Sequence, residues 1–148
     1  MKDSAVKRWS AVHRVLYHVT GGHVGRRLVD NDMLLLTTTG RTSGRSHTVP
    51  LLYLGDEGRL VVIASFGGRP QHPEWYLNLV ANPSVRVQTG ATHRDMRART
   101  ATTEERFSWW PRVVAAYGDY AVYQGRTDRE IPVVILEPTV ADRHSFQS

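Results

Sequence analysis

The sequence predicts an α+β fold, mainly β: a small barrel or curled antiparallel sheet with short flanking helices. Three observations predict it. Strand-length runs bounded by turn signals recur at 33–39, 47–54, 59–65, 84–89, 93–101 and 131–138. Only short stretches of helical period interrupt them. The regular strand–helix–strand alternation of a doubly wound parallel sheet is missing.

In chain order, SAVKRWSAVHRVLYHV (4–19) reads as an amphipathic helix. Val6, Trp9, Val12, Leu16 and Val19 recur at three- and four-residue spacing, and Lys7, Arg8 and Arg14 fall elsewhere on the wheel. Two readings stay open for it, a helix packed on the domain or one resting on an anionic membrane. Gly21-Gly22 breaks the pattern. From Met33 the period is that of strands: MLLLTTT (33–39), HTVPLLYL (47–54), then RLVVIAS (59–65), paired back on the second through Gly55-Asp56-Glu57-Gly58. Pro50 lacks an N–H and so suits an edge or a bulge. PEWYLNLVAN (73–82) is a short helix, opened by Pro73 and ended by Asn82-Pro83. SVRVQT (84–89) and HRDMRARTA (93–101) alternate around Gly90 as a hairpin does. Thr102 and Glu105 form a capping box that opens a helix to about Tyr117, with a kink expected at Pro111. IPVVILEP (131–138) is the last strand, and the polar tail is expected to be loose. The division is a basic helix and connector over 1–29, a barrel domain over 30–138 and a tail over 139–148.

A chain of 148 residues that is 41% hydrophobic suits one core. The absence of cysteine removes disulfides, thiolate chemistry and cysteine-ligated zinc or iron–sulfur centres. No run of eighteen apolar residues exists and the N-terminus lacks a secretory h-region, so the expected location is the cytoplasm. The net charge of +5 lies wholly in residues 1–29, where Lys2, Lys7, Arg8, Arg14, Arg26 and Arg27 face Asp3 alone. The body is neutral. That argues against a protein-wide nucleic-acid surface and leaves a basic arm able to meet anionic lipid or nucleic acid.

Three stretches could carry chemistry. In GRTSGR (40–45), Arg41 and Arg45 offer forked donors, Thr42 and Ser43 offer hydroxyls, and Gly40 and Gly44 let backbone N–H groups approach an anion. It is not a Walker A loop, since it lacks the Lys-Ser/Thr ending and runs into a strand. A surface turn and a phosphate or carboxylate site both remain open for it. In ASFGGRPQHPEWYLNL (64–79), glycines at a strand end permit approach of a flat ligand, and a helix N-terminus adds free N–H donors. Trp75 and Tyr76 could wall a planar ring, while the alternative places Trp75, Leu77 and Leu79 in the core. In AYGDYAVYQGRTDR (116–129), Tyr117, Tyr120 and Tyr123 recur three apart, which suits either packing or a wall for an aromatic substrate. The seven histidines show no HExxH spacing and no GxSxG elbow exists, so no metal site or hydrolase triad is expected. Any reaction is then most simply carried by a bound organic cofactor.

Five ordered segments between Leu34 and Pro138 define a resemblance: LLLTTTGRTSGR, TVPLLY, GG-x-P-x-HP-x-WYLNL-x-ANP, TEER-x-x-WWP, and Tyr-x-x-Tyr-x-x-Tyr with TDR-x-IPVVILEP. Together they resemble the deazaflavin-dependent nitroreductase family, which uses coenzyme F420 on a split β-barrel of the FMN-binding-like type. The resemblance implies a reductase that passes a hydride from reduced deazaflavin to a small electron-poor acceptor, such as a nitroaromatic, a quinone or an activated enone. Carried over by position, Arg41, Thr42, Ser43, Arg45 and His47 would face the anionic tail of the cofactor. Pro50, Leu52, Ile63, Ser65, Gly67 and Gly68 would line its ring, with Trp75 and Asn78 closing that side. Tyr117, Tyr120 and Tyr123 would form the substrate pocket, where Ser65 and Tyr123 are the candidate catalytic groups. Family members often carry lysine at the positions of Thr42 and Phe66, which should weaken tail binding here. The alternatives are an FMN-binding split-barrel enzyme, whose single phosphate needs only the Arg41/Arg45 loop, or a non-catalytic carrier or basic module. The reading is compatible with an oligomer and with peripheral membrane contact through residues 1–29.

Overall fold

In a computed structural model the described residues are 33–139, so the expectations for 1–29 and for the tail beyond 139 fall outside them. The described residues hold seven strands: β1 (Met33–Thr39), β2 (Ser46–Leu52), β3 (Leu54–Asp56), β4 (Arg59–Ile63), β5 (Ser84–Thr89), β6 (Thr92–Thr100) and β7 (Val133–Pro138). Among the described residues three α-helices, α1 (Glu74–Ala81), α2 (Thr103–Ala116) and α3 (Asp119–Gly125), and a 3-10 turn at Phe66–Gly68 join them. The strands form one antiparallel sheet in the order β2-β1-β5-β6-β7-β4-β3. The sheet curls until β2 approaches β4, which makes it a half-closed barrel.

The expected second strand is two strands. It breaks at Tyr53, so β2 pairs with β1 on one edge while β3 pairs with β4 on the other. The expected return pairing therefore holds only for Leu54–Asp56; β4 takes β7 as its second neighbour. Tyr117 Oη donates to the Tyr53 carbonyl at 3.3 Å, which supplies a partner where the ladder is interrupted.

Alternation sorts the side chains onto two faces. Leu34, Leu36, Leu60, Val62, Ala64, Val85, Val87, Met96, Ala98, Val134 and Leu136 fill the inner face, plugged by Trp75 and Leu79 of α1. Val61, Ile63, Val133 and Ile135 point the other way, under Trp109 and Val113 of α2 and Tyr120 of α3. Strands β4 and β7 are thus buried on both faces, which is why they read as unbroken apolar runs.

The capping box forms as its spacing predicts. Thr102 Oγ1 accepts from the Glu105 N–H at 3.2 Å, and Glu105 Oε1 accepts from the Thr102 N–H at 2.9 Å. Arg99 grips the same Glu105 bidentately at 2.7 and 2.9 Å and reaches Glu137 at 2.9 Å, so the start of α2 is pinned to β6 and β7. Helix α2 runs through Pro111 without a break, and the chain interrupts instead at Tyr117-Gly118. The three tyrosines consequently do not share one helix: Tyr117 caps α2, while Tyr120 and Tyr123 belong to α3.

Candidate functional site

The loop Gly40–Arg45 folds on itself. The Gly40 N–H donates to the Arg45 carbonyl at 2.7 Å, and the Gly44 N–H to the Gly40 carbonyl at 2.9 Å. The Arg45 N–H donates to Ser43 Oγ at 3.1 Å. A side chain at Gly40 would meet Ser43 Oγ and His47 Nε2 at 2.7 and 3.0 Å, so those two polar groups converge over its Cα. Arg45 is exposed and makes no ion pair among the described residues. Thr42 is exposed beside it.

Arg41 is engaged differently. Its Nη1 donates to Asn78 Oδ1 at 2.8 Å and Glu74 Oε2 at 2.7 Å, and its backbone N–H also reaches Asn78 Oδ1, at 3.1 Å. Asn78 is buried and ties the loop to α1. Of the two readings left open for Trp75, the structure shows the packed one. It lies in the inner core, because its side of α1 faces into the barrel.

The second loop leaves β4 at Ala64. Ser65 has φ −76° and ψ −37°, and Phe66, Gly67 and Gly68 follow with φ of 48°, 64° and 81°. Three successive residues therefore occupy the left-handed region, one of them a phenylalanine, which is unfavourable without surrounding support. The Arg69 guanidinium lies over the Phe66 ring at 4.6 Å. The glycines differ in use. A Cβ on Gly67 would meet nothing within 4 Å, whereas one on Gly68 would stand 2.5 Å from the Tyr123 carbonyl. Gly68 is thus required by the close passage of α3, and Gly67 is the one with an open face. Ser65 is buried, and its hydroxyl makes no hydrogen bond among the described residues.

The remaining expected ring and substrate residues sort by face. Pro50 and Leu52 are half-buried opposite Leu35 and Met33, on the face of β2 away from the inner core. Ile63 is buried beneath α2 in the outer core, so it packs and does not line an open surface. Tyr120 is packed in the same outer core. Its ring is buried edge-on between Tyr117 and Tyr123 at 6.0 Å from each, and burial raises its phenol well above the ordinary value. Tyr123 is half-buried, with its hydroxyl unpartnered among the described residues. Its backbone abuts Gly68, which sets the tyrosine beside the Ser65–Gly68 turn.

The two loops, the start of α1 and helix α3 thus form one rim at the end of the half-barrel. A family description of F420H2-dependent quinone reductases matches residues 9–138. The chain belongs to the F420H2-dependent quinone reductase family. A Mycobacterium tuberculosis relative is 44% identical over 105 residues, covering 71% of this chain and 88% of its own. Another relative from the same H37Rv strain, an F420H2-dependent quinone reductase, is 35% identical over 129 residues, covering 84% of this chain and 87% of its own. Among solved structures, an F420-H2 dependent reductase, FDR-A, is 48% identical, with 72% of this chain and 94% of that chain covered and a TM-score of 0.66. A pyridoxamine 5'-phosphate oxidase-like structure from Listeria innocua, 15% identical with a TM-score of 0.54, covers 78% of this chain and 90% of its own and shares the split-barrel fold alone. This F420H2-dependent family member is therefore an oxidoreductase that uses coenzyme F420.

Sequence reasoning assigned no role to four residues of the rim. Arg129, His72, Gln124 and Arg126 all lie within or beside the quoted motifs, which was the only signal they gave. Gln124 accepts from the Ile131 N–H and from Arg106, and donates to the Arg129 carbonyl, closing the turn between α3 and β7. Arg126 stands 5.5 Å from the Tyr123 ring and reaches the Gly67 carbonyl at 3.4 Å.

Proposed function

We propose that the protein is a quinone reductase that draws its electrons from reduced F420, with nitroaromatics and activated enones as further acceptors of the same electron-poor class. The observation that carries this reading is the rim itself. A loop with an exposed Arg45, unpaired among the described residues, and converging Ser43 and His47 groups lies at one end, and the open Gly67 face beside Tyr123 lies at the other. That arrangement suits a long ligand that is anionic at one end and flat at the other. Arg45, Ser43 and His47 would hold the anionic tail, with Arg41 released from Glu74 to join them. Ser65, Gly67, Pro50 and Leu52 would flank the ring. When bound, reduced F420 supplies a hydride. Tyr123 would hydrogen-bond the acceptor oxygen and return a proton to it, and Tyr117 would form the wall behind. Ser65 would orient the acceptor from the turn. The protein's part is positioning and exclusion of water.

The test is oxidation of reduced F420 across quinones and nitroheterocycles, with F420 and FMN titrated against the same protein. Quinone-dependent oxidation and preference for F420 support the proposal. Preference for FMN by tenfold, about 1.4 kcal/mol, overturns it. The basic segment 1–29 adds a peripheral contact with anionic membrane to the reading. Deleting it should abolish sedimentation with anionic liposomes, and unchanged sedimentation removes that part.

A further inference from the structure

A guanidinium devoted to backbone carbonyls stands behind the turn at Ser65. Arg129 Nε donates to the Arg69 carbonyl at 2.9 Å, Nη1 to Ala64 at 3.2 Å and Nη2 to Ser65 at 2.7 Å. Nη1 also lies 3.2 Å from His72 Nδ1. No carboxylate pairs with Arg129 among the described residues, and burial pulls its guanidinium below the ordinary value. Drawing a cation from water without a counter-ion is unfavourable unless every donor is used. A planar fork is the side chain that can reach three carbonyls at once.

The carbonyls it holds lie on both sides of the left-handed run Phe66–Gly68. Ala64 and Ser65 precede the run and Arg69 follows it. A conformation of that kind persists only where the surroundings over-determine it. Helix α3 confines the turn from the Gly68 side, and Arg129 closes its two ends. Because an arginine can only donate, His72 Nδ1 must accept, which places the imidazole proton on Nε2. Burial and the Arg129 charge both hold His72 below its usual value, consistent with that neutral form, and its ring lies 4.8 Å from that of Tyr76.

We propose that Arg129 is a positioning residue for hydride transfer. It clamps the Ser65–Gly68 turn so that the Ser65 hydroxyl and the open Gly67 face meet the cofactor ring in one orientation, and it fixes the His72 tautomer against Tyr76. The role rests on the ring site proposed above.

The experiment uses full-length Arg129→Lys and Arg129→Gln, followed by thermal unfolding, amide exchange over 64–72 and turnover of reduced F420 with a quinone. Arg129→Lys should melt cooperatively yet exchange about tenfold faster at Phe66–Arg69. Its kcat should fall on the order of 10- to 100-fold, since displaced reacting groups lose rate steeply. The acceptor KM should change by less than about threefold, because the lost contact acts on geometry and not on ground-state binding. Methylguanidine should restore part of kcat to Arg129→Gln. Should that variant fail to fold, Arg129→Lys carries the test. Unchanged exchange overturns the clamp. Faster exchange with unchanged kcat leaves Arg129 only a structural role and overturns the proposal too. If the wild-type protein oxidises no reduced F420, the proposed function and the Arg129 role in it both fall, and the exchange data still decide whether the turn is clamped.

Discussion

Arg41→Ala and Arg45→Ala should behave differently, although the two arginines look equivalent in GRTSGR. Arg45 is exposed and unpaired among the described residues, so its removal should change stability by less than about 0.5 kcal/mol. Arg41 bonds both Glu74 and Asn78. The Glu74 side chain is 76% exposed, which limits that ion pair to about 0.2–1 kcal/mol. The bond to buried Asn78 has a charged donor and would alone be worth about 1.5–3 kcal/mol, but the Arg41 N–H survives the substitution and still serves the same oxygen. A net loss of about 1–2 kcal/mol follows, which lowers the melting temperature by roughly 3–8 °C for a domain of this size. Thermal unfolding of both variants without cofactor measures this, paired with fluorescence titration of F420. Both should bind F420 about two- to fivefold more weakly, as expected for one lost cation against an exposed anion. If Arg41→Ala melts together with the wild type, the clasp between the loop and α1 contributes nothing and the reasoning is refuted.

Three further outcomes are expected. Arg99 and the Thr102 N–H hold the Glu105 carboxyl down at about 2, so its stabilising contribution is complete above the ordinary carboxylate range and is lost as pH falls toward 2. Glu105→Gln should flatten that acid limb in urea titrations between pH 5 and 2 and cost about 1–2 kcal/mol at neutral pH, the ion pair being partly exposed. Gly67→Ala should fold with a loss of about 1–2 kcal/mol for its left-handed backbone, whereas Gly68→Ala, aimed at the Tyr123 carbonyl, should lose clearly more; chemical denaturation ranks them, and equal losses contradict the packing. Tyr123→Phe should leave the F420 dissociation constant within about twofold while kcat falls about tenfold or more, as stopped-flow oxidation would show.

Elements specified by neighbouring residues were legible in the sequence. The Thr102/Glu105 box, the Gly90 hairpin and the Pro73 helix start all depend on residues a few positions apart, and all form. The break at Tyr53 was not legible, since nothing in TVPLLYL distinguishes one long strand from two that lie on opposite edges of the sheet. Which tyrosine packs was also hidden, because it depends on the chain turning at Gly118, and a spacing of three is neutral between a shared face and a fan. Arg129 escaped for a plainer reason. Its partners are carbonyls 60 to 65 residues earlier, and a carbonyl has no letter in a sequence.

Strands β4 and β7 separate the apolar interior into two clusters, one inside the barrel and one beneath the helices. Conservative substitutions under α2 and α3, among Val61, Ile63, Val133 and Ile135, should therefore disturb the packing inside the barrel little. That freedom ends at Gly68, whose close approach to the Tyr123 backbone ties α3 to the end of β4.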